Sequence, residues 1–134
     1  MLDSFLLTPL IPELVYEDFA IVTASAQLLQ GLFGNTWPDD LTLEKNLVDL
    51  TRHDREFKER HAFSWVIRAK SGAYLGCAYV NPRPDMRGKA KVFTWIADRP
   101  DRLTLLSSFN EQFRAWITPQ LPNGYETEWA SNDF

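Results

Sequence analysis

The segments FSWVIRA (63–69), AYLGCAYV (73–80) and AKVFTWIA (90–97) decide the fold of this chain. The first two are rich in aromatic and β-branched residues, and KSG (70–72), a short connection that contains glycine, separates them. Such a pair predicts a β-hairpin, and the third segment predicts the next strand. Asp98 then opens a helical pattern that extends to Trp116. This part of the chain therefore predicts a hairpin, a further strand and a helix.

The N-terminal part adds a strand and a helix. FLLTPL (5–10) predicts a first strand, at an edge of the sheet because Pro9 cannot donate a ladder hydrogen bond. From Glu17 to Leu29, apolar residues recur at mixed three- and four-residue spacing, and Gly31 follows. This spacing predicts a first helix over residues 17–29.

A second helix is predicted to run to about Arg60. Asp39, Asp40 and Thr42 offer N-terminal caps, and the apolar stripe consists of Leu43, Leu47, Leu50 and Phe57. His53 lies beside this stripe, so we interpret it as a histidine at the edge of the packed face, with a catalytic or ligand role as the alternative. Asp54 and His61 are roughly 10 Å apart along the helix axis, and we do not predict that they pair.

A third helix is predicted to begin near Asp98 to Asp101, since Pro100 is acceptable in a first turn. Its packed face would consist of Leu103, Leu106, Phe109, Phe113 and Trp116. The segment YETEW (125–129) alternates with period two, as a last strand would. Helices between successive sheet elements predict a mixed α/β layer structure, which we expect to form a single domain over residues 1–134.

The composition excludes several classes of protein. Hydrophobic residues make up 45% of the chain, yet no apolar run approaches the ~20 residues of a membrane helix. The net charge of −4 and the dispersed basic residues argue against binding of nucleic acid. The N-terminal residues 1–5 include an acid and no basic residue, so we expect neither a signal nor a transit peptide and place the protein in the cytoplasm.

The motifs of common catalytic and metal sites are missing from the sequence. Cys77 is the single cysteine, and its neighbours are those of a packed strand, so we expect a small buried residue rather than a nucleophile. There is no Gly-x-Ser-x-Gly elbow and no zinc spacing of histidines, so we expect no metal. The remaining candidate is the turn from the strand at 90–97 into the third helix, because a helix N-terminus offers free amide donors and a positive dipole end.

The order of elements resembles the GCN5-related N-acetyltransferases (GNAT), and more closely a group of small bacterial GNAT-like proteins of uncertain activity. The phrases that carry the closer resemblance cover nearly the whole chain: GLFG (31–34), WP (37–38), LTLE (41–44), Asn46-Leu47, Asp49-Leu50, His53, Glu56-Phe57, Arg60, Phe63, LGCAYV (75–80), Pro82, Trp95 and Trp116. The resemblance implies an α/β (α+β) fold with a mixed, mostly antiparallel sheet flanked by about three helices.

The resemblance also implies that an acyl-CoA such as acetyl-CoA lies against the strand that ends at Ala97. Its pyrophosphate would lie on the amides that begin the third helix, and the implied contacts are Ile96, Ala97, Arg99, Arg102, Leu103 and Thr104. In the family this turn carries Arg or Gln first, Gly three residues later, and Gly or Ala five residues later. Arg99 matches the first position, whereas Arg102 and Thr104 occupy the glycine positions. Both arginines could compensate as direct phosphate ligands.

A second departure from the family concerns the end of the sequence, where about ten residues follow Gly124. Relative to the family the fold would thus be truncated at the C-terminus, and the tyrosine that serves as general acid cannot be assigned. The base would be an acid or a water relay, and Glu126 or Glu128 on the last strand would lie in the right neighbourhood.

Three functions stay open at this point. The first is an N-acetyltransferase that acts on a small-molecule or protein amine. The second is a catalytically degenerate GNAT-fold protein that binds a partner or forms a homodimer through an exposed sheet edge. The third is a small ligand-binding module with a pocket lined by Trp37, Trp65, Trp95 and Tyr79, although aromatic residues at such spacing more often belong to a core.

Overall fold

The computed structural model describes residues 2–33, 36–82 and 87–131. Gly34, at the end of the GLFG phrase, lies outside these ranges. Within them five strands form one sheet, namely β1 (Phe5–Pro9), β2 (Phe63–Ala69), β3 (Tyr74–Pro82), β4 (Lys89–Ile96) and β5 (Glu126–Ser131). The helices are α1 (Val15–Ala24), α2 (Ala26–Leu29), α3 (Leu43–Lys58) and α4 (Arg102–Ile117), with short 3-10 turns at Pro12–Leu14 and Thr118–Gln120.

The strands follow one another across the sheet in chain order, and all neighbours are antiparallel except β4 and β5. The predicted hairpin is confirmed as β2 and β3, with Phe63 opposite Val80. The predicted edge position of the first strand is also confirmed, since β1 pairs on one side with β2. Gly76 lies where β3 and β4 approach closely, because a Cβ atom there would lie 1.9 Å from the carbonyl oxygen of Trp95.

Helices cover both faces of the sheet. On one face α4 places Phe109 and Phe113 against strand residues such as Val92 and Ile96. On the other face α1, α2 and α3 pack against Cys77 and its strand neighbours Tyr79, Phe93 and Trp95. Because α4 connects the parallel strands β4 and β5, its N-terminus follows directly on the end of β4. This layered arrangement confirms the predicted mixed α/β class.

The predicted first helix is wrong in one respect, because a break at Ser25 divides it into α1 and α2. Ser25 has φ −110° and ψ 17°, which is not helical. Its side chain is buried and its Oγ accepts a hydrogen bond from the amide of Asp98, 3.0 Å away. The break therefore attaches the first helical segment to the turn that follows β4.

The predicted apolar stripe of the second helix is partly wrong. Leu47 is 44% exposed, whereas Asn46 is buried. At 100° per residue Leu47 lies about 90° from the centre of the face formed by Asn46, Leu50, His53 and Phe57. In this orientation Asn46 donates a buried hydrogen bond to Asp18 of α1. The helix ends at Lys58, two residues earlier than expected.

The predicted third helix also differs at its start. Residues 98–101 form the turn and α4 begins at Arg102, with Asp101 in the N-cap position. Leu103 is 53% exposed and does not belong to the packed face, which instead includes Ile117. The last strand begins one residue later than predicted and extends to Ser131. No helix in the described ranges is long and apolar enough to cross a bilayer.

Candidate functional site

The turn between β4 and α4 is held from inside the protein. The amide of Ala97 donates to the carbonyl oxygen of Leu75 at 2.8 Å, and the amide of Asp98 donates to Ser25 Oγ. The amide of Arg102 donates to the carbonyl oxygen of Arg99 at 3.1 Å. These three amides are therefore already engaged within the protein, two of them with residues outside the turn. An α-helix leaves its first amides without acceptors in the helix, so Leu103 and Thr104 supply the outward donors of this turn.

The two arginines of the turn have different surroundings. Arg99 is on the surface and its guanidinium pairs with the carboxylate of Asp101, with Nη2 3.3 Å from Oδ2. Arg102 is only 7% exposed. Of the residues expected to hold a cofactor, the structure brings Arg99, Leu103 and Thr104 to the surface at the helix start, while Ile96 is buried and Ala97 half-buried.

The two acids suggested as bases lie on β5, beside the first half of β4. Glu126 is opposite Lys89 and Glu128 is opposite Lys91 in the parallel register. The carboxylate of Glu126 is exposed and lies 4.0 Å from the ammonium group of Lys89. At about 3.3 Å per residue, Glu128 lies roughly 20 Å along the strand from Ala97. The acids and the turn are thus at opposite ends of β4.

A cavity of about 320 Å³ opens on the other face of the sheet, between α1, α3 and β3. It is lined by Leu10, Asp18, Phe33, Trp37, Asn46, Asp49, Leu50, Arg52, His53, Tyr79 and Asn81. Residues at its floor, such as Asp18 and Leu50, are buried, whereas Arg52 at its rim is half exposed. The cavity is therefore open to solvent at one end and closed at the other.

Asp18 is the buried acid of this cavity. Its Oδ2 accepts a hydrogen bond from Asn46 Nδ2 at 2.9 Å, and its Oδ1 accepts one from the hydroxyl of Tyr74. Burial raises the pKa of Asp18, and the two hydrogen bonds oppose that rise. The nearby carboxylates of Asp49 and Glu17 add to it. Asp49 thus lies near enough to Asp18 to disfavour the charge of Asp18.

His53 lines the same cavity. Its Nδ1 is 3.1 Å from Ser64 Oγ, and its ring lies 5.6 Å from the ring of Tyr79. Burial lowers the pKa of His53 to about 4, with a smaller contribution from the positive charge of Arg52. The imidazole is therefore neutral near pH 7. Its predicted position at the edge of the packed face is confirmed.

Aromatic rings form one wall of the cavity. The ring of Phe33 lies 5.2 Å from that of Tyr79 and 4.9 Å from that of Trp37. Trp95 is fully buried beneath this wall and donates a hydrogen bond from Nε1 to the Tyr79 hydroxyl at 3.3 Å. Trp65 lies on the opposite face of the sheet. The aromatic pocket considered from the sequence thus retains Trp37 and Tyr79 and excludes Trp65.

Cys77 is buried within β3, as predicted. Its Sγ lies 3.1 Å from the hydroxyl of Tyr74, and burial raises the pKa of the thiol. Among the described residues no group of three or more His, Cys, Asp or Glu side chains is placed to hold a metal ion.

The sequence interpretation missed the acids and amides of the cavity. Asp18 comes four residues before the buried Val22, and Asn46 comes four residues before the buried Leu50. Polar residues one helical turn from core positions can point inward. That spacing was the available signal, and it does not by itself distinguish a buried polar pair from a solvated helix edge.

Comparison with known proteins identifies the fold. No family model matches the sequence, and no curated protein matches it either. Among solved structures the chain is similar to RimL, a ribosomal L7/L12 alpha-N-protein acetyltransferase in complex with coenzyme A, with a TM-score of 0.73, 12% identity and coverage of 91% of this chain and 67% of that one.

Two further structures agree. The microcin C7 self-immunity acetyltransferase MccE, in complex with acetyl-CoA and AMP, gives a TM-score of 0.68 at 10% identity and covers 88% of this chain and 64% of its own. The acetyltransferase from Salmonella typhimurium that modifies the N-terminal serine of ribosomal protein L7/L12 gives a TM-score of 0.68 at 13% identity. This match covers 87% of this chain and 65% of that one. The chain thus spans about two thirds of the length of each neighbour. The arrangement of its strands and helices is the GNAT fold.

Proposed function

We propose that the protein is an acyltransferase that moves an acyl group from acetyl-CoA, or a related acyl-CoA, to an amine. The observation that carries this proposal is the sequence of β4, the turn at 98–101, α4 and the parallel strand β5. Among the described residues, the pairing of β5 with β4 extends as far as Thr94, opposite Ser131. An extended ligand would lie along β4 beyond this last described pair, next to the turn.

A small set of groups in and beside the turn would bind the diphosphate of the acyl-CoA. The amides of Leu103 and Thr104 at the helix start would donate to phosphate oxygens, favoured by the positive end of the helix dipole. Arg99 would leave Asp101 and pair with phosphate, an exchange of small cost because exposed ion pairs contribute little. Arg102 supports the turn from inside, while Ile96 and Ala97 would flank the arm of the ligand.

The chemistry divides between the donor and the protein. A bound acyl-CoA would supply a thioester, whose acyl carbon bonds to the amine nitrogen as the thiolate leaves. Glu126 or Glu128, directly or through a water molecule, would accept the proton that the amine must lose. Both acids lie on β5 beside the half of β4 that is remote from the turn, so the acyl end of the donor would have to extend roughly 20 Å from Ala97 to reach them.

The acceptor is proposed to be a primary amine of a protein or a small molecule. RimL and the enzyme from Salmonella typhimurium have the same fold and act on a ribosomal protein. Their similarity supports an amine acceptor and leaves its identity to experiment. We further propose that the protein acts in the cytoplasm as a single domain.

The experiment is a calorimetric titration with acetyl-CoA, using Thr104→Asp and Thr51→Asp as a matched pair. Thr104 is exposed at the start of α4, and a carboxylate there would repel a diphosphate. Thr51 is exposed on α3, away from the turn. We expect the wild type to bind, Thr104→Asp to weaken binding at least tenfold and Thr51→Asp to leave it unchanged.

The same titration decides between the enzyme and a non-catalytic binding protein. The pairing of Arg99 with Asp101 and the burial of Arg102 favour this second candidate, in which the fold would bind a partner or a second copy. Absence of heat with the wild type at high micromolar acetyl-CoA would overturn the transferase. Equal affinities of the two variants would show that the phosphates lie elsewhere.

A further inference from the structure

The cavity between α1, α3 and β3 combines a buried acid, a half-exposed acid and aromatic rings. Asp18 lies at the closed end and is 4% exposed, while the carboxylate of Asp49 is nearer the rim. Rings of Phe33, Trp37 and Tyr79 form one wall. Both oxygens of Asp18 already accept hydrogen bonds from Asn46 and Tyr74, so Asp49 is the acid that can contact a ligand directly. An anion would be repelled by the two acids.

The charges around the cavity favour a cation. Asp18 and Asp49 bring two carboxylates to its surface, and Arg52 is the charged partner at the rim. The guanidinium of Arg52 is 3.9 Å from Asp49 and 3.5 Å from Glu56, so Arg52 is shared between two acids. His53 contributes no charge near neutral pH because its pKa is about 4. A positive group that enters beside Asp49 would therefore offset the negative charge that disfavours the ionised form of Asp18.

The aromatic wall is suited to the same kind of ligand. Ring faces attract cations, and an ammonium group removed from water gains most from this contact. The rings also accommodate the apolar carbon atoms that carry the ammonium group. A volume of about 320 Å³ is near the lower end of the range for ligand pockets, which limits the occupant to a small group.

We infer that this cavity binds a primary ammonium group on a short apolar carrier, with Asp18 and Asp49 facing the charge and Phe33, Trp37 and Tyr79 facing the carrier. The carrier is either a small alkylamine or the first residue of a peptide. The ring of Phe33 lies 4.9 Å from that of Phe93 on β4, so the cavity adjoins the strand along which the donor is proposed to lie. The assignment of this cavity as the site of the acceptor amine rests on the proposed function.

The test is calorimetry on the full chain without acyl-CoA, using phenethylamine and its neutral isostere 2-phenylethanol. We expect phenethylamine to bind at least tenfold more tightly than 2-phenylethanol. Equal affinity would overturn the inference, because it would mean that the cavity does not recognise the charge. No detectable binding of phenethylamine at about 10 mM, which would correspond to a binding free energy weaker than about −3 kcal/mol, would overturn it too.

Two matched variants locate the binding. Asp49→Asn removes the half-exposed acid of the cavity and avoids the risk that Asp18→Asn fails to fold. Asp54→Asn makes the same change on the same helix, at a residue that pairs with Lys58 outside the cavity. We expect Asp49→Asn to lower the affinity for phenethylamine at least tenfold and Asp54→Asn to leave it unchanged. Equal effects of the two variants would overturn the inference.

Competition with a peptide distinguishes the two carriers. If the tripeptide Met-Ala-Ala amide displaces phenethylamine and its N-acetylated form does not, the site takes a peptide amino terminus. If neither displaces it, the site takes a small amine, and both results support an ammonium site. If the protein binds the amine but does not bind acetyl-CoA, the proposed transferase activity is overturned and the ammonium site is still supported.

Discussion

His53 shows how burial changes the chemistry of one side chain. Its imidazole lies between α3 and the sheet, against Ser64 and Tyr79, and burial lowers its pKa to about 4. A free histidine has a pKa of about 6.5. Between these two values the unfolded chain binds a proton that the folded protein does not. Stability must therefore rise with pH across this interval and fall as the pH drops through it.

We predict that the wild type loses about 2 kcal/mol of unfolding free energy through His53 between pH 7.5 and pH 5. His53→Gln removes the titration and can keep a hydrogen bond to Ser64. Urea unfolding at the two pH values measures the effect. The variant should lose about 2 kcal/mol less than the wild type over this interval.

His61→Gln is the control, because the His61 side chain is 71% exposed. Between the same two pH values, this variant should lose as much unfolding free energy as the wild type. If His53→Gln and the wild type lose the same free energy, the imidazole is solvated in the folded protein and the neutral state assigned to it is wrong.

The sequence could predict the place of His53 but not its partners. Its spacing from Leu50 and Phe57 put it beside the packed face, and the structure confirms this. The pair formed by Asp18 and Asn46 was not predicted, because a hydrogen bond between two helices depends on how they pack. In the observed packing Asn46 takes a buried position and Leu47 is exposed, which is why the apolar stripe was predicted incorrectly.

At the scale of helices and strands, the break between α1 and α2 contacts the turn after β4, where the acyl-CoA donor is proposed to bind. Ser25 ends α1, and its buried hydroxyl accepts from the amide of Asp98 in the turn after β4. Two segments distant in sequence are joined by this bond. A buried amide that loses its acceptor costs about 1–3 kcal/mol.

We predict that Ser25→Ala destabilises the protein by about 1–2 kcal/mol and exposes the turn to solvent exchange. The alanine keeps the backbone and removes the acceptor of the Asp98 amide. Urea unfolding gives the free energy, and hydrogen exchange at Asp98 gives the local effect. Ser107→Ala on the exposed side of α4 should change neither quantity by much. Unchanged protection at Asp98 would mean that the amide has another acceptor.

The existence of most helices and strands was predictable, whereas their ends were not. Hairpin residues alternate and are joined by a glycine turn, which is a local signal, so β2 and β3 were placed within two residues. The break at Ser25 has no such signal, because Gly31 was the first strong helix stop after Glu17. The position of Ser25 is fixed by its contact with Asp98, which is 73 residues away.

At the scale of the whole molecule, the attachment of β5 to β4 decides how much of the β4 edge is available to the proposed acyl-CoA donor. The strand is parallel to β4 and lies at an edge of the sheet, so α4 must hold it as well. Trp129 makes this contact, with the guanidinium of Arg114 4.3 Å above its ring and Phe113 6.1 Å away. The alternation in residues 125–129 predicted a strand, but parallel pairing with β4 is a long-range property.

We predict that Trp129→Ala loosens β5 and lowers the unfolding free energy by about 2–3 kcal/mol, somewhat less than for a fully buried tryptophan. The lost contacts are those with α4, so β4 amides that bond to β5 should exchange faster while those that bond to β3 stay protected. Tyr16→Ala removes an aromatic ring that is 75% exposed and should leave stability nearly unchanged. If Trp129→Ala speeds exchange equally on both sides of β4, the sheet unfolds as one unit. β5 would then not open separately from the rest of the sheet, and an extended ligand could bind β4 only beyond Thr94, the last residue paired with a described residue of β5.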